Sequence, residues 1–131
     1  MATLFGEIIV EVSEHSDDHI VFHTKSGKTF EMYHMQDCCE SVEVYDISGN
    51  LQSLVGEEVT FFDEDVLSDW PSGVPEPKYL DSYTWTIYRI GTANQSIMIR
   101  WVGYSNGYYS ERPYFEQTHK KIKIKDRGDI L

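Results

Sequence analysis

The sequence predicts an all-β or mostly β domain: an antiparallel sheet or small partly open barrel with one short helix. Three observations predict it. Short segments repeatedly alternate polar and apolar side chains at the period of a strand. Nine tyrosines, six phenylalanines and three tryptophans in 131 residues supply rings that favour pleated surfaces. Glycine, proline and asparagine break the segments at short intervals, and a single stretch has helical spacing.

Residues 4–12 form the first expected strand, carried by Ile8, Ile9, Val10 and Val12. The polar run 13–18 follows as a turn. His15 and His19 flank its acidic pair, a spacing open to a metal but more often merely solvated. Residues 19–24 and 29–35 make a hairpin around Lys25-Ser26-Gly27-Lys28. Alternation in the return strand puts Phe30, Met32 and His34 on one face, and Glu31, Tyr33 and Met35 on the other.

Residues 41–47 form the next strand, ended by Ser48-Gly49-Asn50. Leu51, Leu54 and Val55 stand at helical spacing before the stop at Gly56, so residues 50–55 are the one short helix. Residues 57–62 resume as a strand, and the acidic run Asp63-Glu64-Asp65 leads into a long loop over 67–81. This loop holds three of the four prolines, with Trp70 and Tyr79 marking it as an ordered flap. Residues 82–91 and 96–103 form the strongest hairpin. Tyr83, Trp85, Ile87 and Arg89 share one face, and Ile97, Ile99 and Trp101 alternate with Met98, Arg100 and Val102. Asn106-Gly107 signals a further turn, and Tyr114-Phe115 a short edge strand.

The length suits one β-rich domain over 1–116, with 117–131 as a basic C-terminal tail or charged edge strand. Residues 1–116 carry 6 basic and 20 acidic side chains, whereas 117–131 carry 5 basic and 2 acidic. So acidic a body repels phosphate backbones, which disfavours direct nucleic-acid binding and leaves a soluble surface or one that docks a basic partner. No stretch has the makings of a signal peptide or an apolar membrane span, and the expected location is the cytoplasm. The two cysteines, Cys38 and Cys39, are adjacent. Adjacent cysteines cannot build a disulfide framework and are expected as reduced thiols.

The chemistry concentrates in His34-Met35-Gln36-Asp37-Cys38-Cys39-Glu40. A metal site there lacks the second spaced pair that zinc needs, and a Cys nucleophile with His34 as base lacks a recognisable catalytic context. Two readings carry more weight. In one, Cys38 and Cys39 pack as small core residues while Asp37 or Glu40 pairs with Arg89 or Arg100. In the other, His34, Gln36, Asp37 and Glu40 border a ligand pocket. There Trp85 and Trp101 stack on a ring and Arg89 and Arg100 meet an anion, while Asn106, Tyr108 and Tyr109 close the rim.

Several runs together resemble a known group. They are His34-x-Gln36-Asp37-Cys38-Cys39-Glu40-Ser41-Val42, Asp46-Ile47-x-Gly49-Asn50-Leu51, Ser82-Tyr83-Thr84-Trp85-Thr86-x-Tyr88, Ile99-Arg100-Trp101-x-Gly103 and Ser105-Asn106-Gly107-Tyr108-Tyr109-Ser110. They are similar to a small family of uncharacterised domains encoded largely by bacteriophages and prophage-bearing bacteria, over about residues 30–115. The resemblance implies a small, acidic, soluble phage protein of accessory type and brings no catalytic residues with it; an anti-defence role is extended to it by analogy with other accessory phage proteins of this size.

The resulting expectation is a non-enzymatic binding protein that sequesters a small, nucleotide-like ligand, with no cofactor and no resident metal. One alternative is an inhibitor that presents Glu57, Glu58, Asp63, Glu64, Asp65 and Asp69 to a basic host protein, such as a defence enzyme. A second is a thiol-dependent enzyme using Cys38 or Cys39 with His34. The aromatic inventory and the alternating tail fit a homodimer as well as a monomer.

Overall fold

The structure is a computed structural model describing residues 2–77 and 81–119. Its described strands are β1 (Ile9–Ser16), β2 (His19–Thr24), β3 (Thr29–Tyr33), β4 (Ser41–Ser48), β5 (Phe61–Leu67), β6 (Ser82–Gly91), β7 (Ser96–Ser105) and β8 (Tyr114–Thr118). They form two four-stranded antiparallel sheets, ordered β1-β2-β3-β8 and β4-β7-β6-β5. The fold is mostly β, as the sequence predicts, and neither sheet closes into a barrel.

The sheets share one core. Val12, Ile20, Phe22, Phe30 and Met32 of the first meet Val42, Tyr88, Ile90, Ile97, Ile99 and Trp101 of the second. Each such side chain withdrawn from water contributes roughly 1.5–3 kcal/mol before chain entropy is subtracted. Phe115 of β8 stacks on Phe30 and lies 4.9 Å from Phe62, joining the sheets along one side. On the other side the Val44 amide donates to the Asp17 carbonyl at 2.6 Å.

The expected helix is a single 3-10 turn, Leu51–Leu54. Asn50 caps it by accepting the Gln52 amide at 3.0 Å, and Leu51 and Leu54 enter the core. The first strand begins later than expected, because the chain turns at Gly6 with φ of 83°. It then runs on to Ser16, so that the turn before β2 is reduced to Asp17 and Asp18. A larger correction concerns the strand expected over 57–62. It begins instead at Phe61 and runs to Leu67, so the acidic run is its middle, where Asp63 and Asp65 both meet Arg89 on β6.

β8 pairs with β3 through Thr118, opposite Thr29. Tyr79 of the flap and the tail beyond 119 lie outside the described residues. None of the described helices is long and apolar enough to cross a membrane.

Candidate functional site

Inward alternation along β3 continues past its end, so His34 follows Phe30 and Met32 into the interior, 7% exposed. The chain then crosses to β4 and bends so that Glu40 points back beneath it. The Glu40 carboxylate accepts the Asp37 amide at 2.8 Å and the Cys38 amide at 3.0 Å, and lies 2.9 Å from His34 Nε2. The other imidazole nitrogen, Nδ1, lies 3.0 Å from the Arg112 carbonyl. Chiefly the His34 contact, then the two amides, hold the Glu40 carboxyl down to about 2 against the opposing effect of burial. The Gln36 amide donates to the Glu40 carbonyl, fastening the loop a further time.

A second buried carboxylate organises the segment after β7. The Glu111 side chain accepts the Thr84 hydroxyl at 2.7 Å and the hydroxyl of Ser105. Burial pushes its carboxyl up, but hydroxyls of Ser105, Ser82 and Thr84 hold it below the usual range. The backbone passes so close to β7 that a Cβ on Gly103 would stand 2.1 Å from the Glu111 carbonyl oxygen. Only glycine admits this crossing. At the tip, Gly107 donates to Ser105 Oγ at 2.9 Å and Tyr108 donates to Asn106 Oδ1 at 3.1 Å. Tyr108 projects from this braced turn 88% exposed.

The two motifs, some seventy positions apart, occupy the same end of the molecule. Ser41 pairs opposite Tyr104, and His34 reaches the Arg112 carbonyl. Gln36, Asp37, Cys38, Cys39, Asn106 and Tyr108 are exposed there, and Tyr109 is half-buried. Cys38 and Cys39 are therefore not core residues. Their sulfurs are joined to each other, which corrects the expectation of free thiols: with no third cysteine, the neighbour is the only partner available.

Trp85 and Trp101 lie on opposite faces of β4-β7-β6-β5, and both arginines lie on the face of Trp85. Trp101 lies fully buried in the core, whereas Trp85 sits on the outer face and is covered there. What covers Trp85 is the flap. Trp70 meets Trp85 edge-on at 5.1 Å and Tyr83 at 4.9 Å, and stacks on Tyr104 at 6.4 Å. Its own Nε1 donates to the Val74 carbonyl at 2.9 Å, which shapes the flap around the ring. The Trp85 Nε1 has no hydrogen-bond partner among the described residues.

A register shift between Val44 and Asp46 turns Tyr45 towards the same face. Tyr45 lies 5.2 Å from Trp85, and the Arg100 guanidinium stands 5.4 Å from Tyr45 and 5.5 Å from Trp85. Asp46 holds Arg100 in a two-point pair at 2.8 and 2.6 Å, and Arg89 meets Asp65 at 2.8 Å. Both arginines thus carry a carboxylate already. Sequence reasoning missed Trp70, Tyr45, Tyr83 and Tyr104 as a set, because a flap and a register shift assemble them.

His19 meets Glu31, whose other oxygen accepts the Thr118 hydroxyl at 2.7 Å. An open depression of about 340 Å³ lies between this pair and His34. No three His, Cys, Asp or Glu side chains among the described residues converge as metal ligands.

A family model for a domain of unknown function, DUF7448, matches residues 2–115. The chain belongs to the DUF7448 family. The match begins well before residue 30, so β1 and β2 are part of the DUF7448 domain and not additions to it. No curated protein and no solved structure matches the chain.

Proposed function

We propose that this chain is a non-enzymatic binding protein of bacteriophage type, acting in the host cytoplasm, that withholds a small ligand with a planar, nucleotide-like ring. The motif resemblance supports the origin. The observation that carries the binding reading is the seating of Trp70 among Tyr83, Trp85 and Tyr104. A niche that takes an indole edge-on and face-on offers the same contacts to a base. The Trp85 Nε1, without a hydrogen-bond partner among the described residues, adds a donor for one polar atom of the ring.

Arg89 and Arg100 are charge-balanced by Asp65 and Asp46, so the ring carries more of the affinity than any phosphate. The exposed residues Gln36, Asp37, Asn106 and Tyr108 rim the same end. Titrating the full chain with a panel of nucleosides and nucleotides tests this by tryptophan emission and calorimetry. Saturable binding by one class, weakened at least about tenfold (1.4 kcal/mol) by Tyr83→Ala, is expected. No saturation by any member of the panel overturns it.

Tyr108 favours a second reading, the protein-directed inhibitor. An exposed aromatic on a braced turn suits an anchor at an interface, being large and already fixed. Of the acidic set, Asp63 and Asp65 face Arg89 and Glu64 faces Arg112, so Glu58 and Asp69 carry more of the outward charge. A thiol enzyme finds less support, since both His34 nitrogens face Glu40 and the Arg112 carbonyl.

A further inference from the structure

We propose that Cys38 and Cys39 form a thiol–disulfide exchange site whose state is relayed to the 105–113 segment through Glu40 and His34. Both cysteines are exposed, they are the only two in the chain, and their sulfurs are joined. A small disulfide or thiol can reach them, and neither has another cysteine of this chain to exchange with.

The chemistry balances with a low-molecular-weight disulfide as oxidant. One thiolate attacks it, forming a mixed disulfide and releasing one thiol. The neighbouring thiolate then attacks the bound sulfur and expels the second. Two S–H bonds become one S–S bond, and the two electrons pass to the oxidant, which leaves as two thiols. The thiolate, not the thiol, is the attacking species, so exchange quickens as pH rises.

The relay follows from position. The Glu40 carboxylate accepts the amide of Cys38 itself and that of Asp37 just before it, and Glu40 directly follows Cys39 in the chain. Opening or closing the ring changes the side-chain torsions of both cysteines inside that clamp. Glu40 is tied to His34, and His34 to the Arg112 carbonyl, so the clamp ends on the segment that bears Tyr108. This coupling holds whichever ligand or partner the proposed binding surface takes.

The full chain is equilibrated with glutathione disulfide or with dithiothreitol, quenched in acid, denatured and labelled with N-ethylmaleimide. Intact mass should show no label in the first sample and two in the second. Backbone amide exchange across 105–113 should be roughly threefold or more faster in the reduced sample. The double variant Cys38→Ser/Cys39→Ser, at exposed positions, should lose the difference, and Glu40→Gln should lose it while keeping the labelling pattern. Two labels after glutathione disulfide overturn the exchange site. A closed ring with equal protection of 105–113 in both samples overturns the relay.

Discussion

The side chains of Glu40 and His34, each 1% exposed, face one another at 2.9 Å at the base of the 34–40 loop. The pair is closed off by two backbone amides on one side and the Arg112 carbonyl on the other. It thereby ties the crossing from β3 to β4 to the crossing from β7 to β8. A buried carboxylate satisfied in this way fixes a loop conformation more surely than it adds net stability.

Stability should fall in acid because of this pair. The Glu40 carboxyl is depressed from an ordinary 4.5 to about 2 in the folded protein, so the unfolded chain takes up the proton first. Its contribution is complete above about 4.5 and is lost as pH falls towards 2. Denaturant midpoints measured across that window should decline in the wild type and decline less in Glu40→Gln. Equal slopes in the two would remove Glu40 from the account.

Gly103→Ala should destabilise by about 3 kcal/mol, because the added carbon meets backbone at Glu111, which cannot swing aside as a side chain would. Urea unfolding measures the cost. Amide exchange should rise in the segment around Glu111 before it rises in β6.

Asp46 and Arg100 should couple by about 1 kcal/mol in a double-mutant cycle, not by the several expected of a dry pair. Asp46 is 39% exposed and Arg100 22%, so water screens much of the attraction. Arg100→Lys should lose most of that coupling, since an ammonium cannot make the two-point contact or lie flat over Tyr45.

Trp70→Ala should cost about 1–2 kcal/mol, the worth of its edge-on ring contacts. Under the proposed function it should also tighten binding of a planar ligand, since the niche no longer has to be vacated. Weaker binding in this variant would make Trp70 a wall of the site and not its occupant.

Tyr108→Ala should leave the unfolding midpoint within about 0.5 kcal/mol of wild type, because its side chain touches little. If the end surface is an interface, the same change should weaken association with the partner. Pull-down from host extract with wild type and variant side by side reads this directly.

Much of the fold was legible because period-two alternation is a local property. The bounds of β2 and β6 match the expected segments, and the parity of Tyr83, Trp85, Ile87 and Arg89 on one face holds. Parity does not say which face is inside, however, when both carry large apolar groups. Trp85 and Trp101 consequently fall on opposite sides of the sheet. β5 was half hidden for a related reason: the expected strand stops at residue 62 because three acids in a row break the alternation, and their partners, Arg89 for Asp63 and Asp65 and Arg112 for Glu64, lie more than twenty positions away. In the candidate site the adjacency of the two motifs was readable from the strands that lead into them. The Glu40–His34 contact was not, since it depends on a loop bending back on itself.

β8 is the last described strand, yet it lies against β3, made more than eighty residues earlier. A nascent chain can assemble β1, β2 and β3 while still on the ribosome, but that meander keeps an open hydrogen-bonding edge until Tyr114–Thr118 emerges. Phe30, which stacks on Phe115, waits half-covered for the same interval. Completion of the domain is therefore governed by a late, long-range event, and chains stopped short of residue 114 should present a sticky strand to whatever lies nearby.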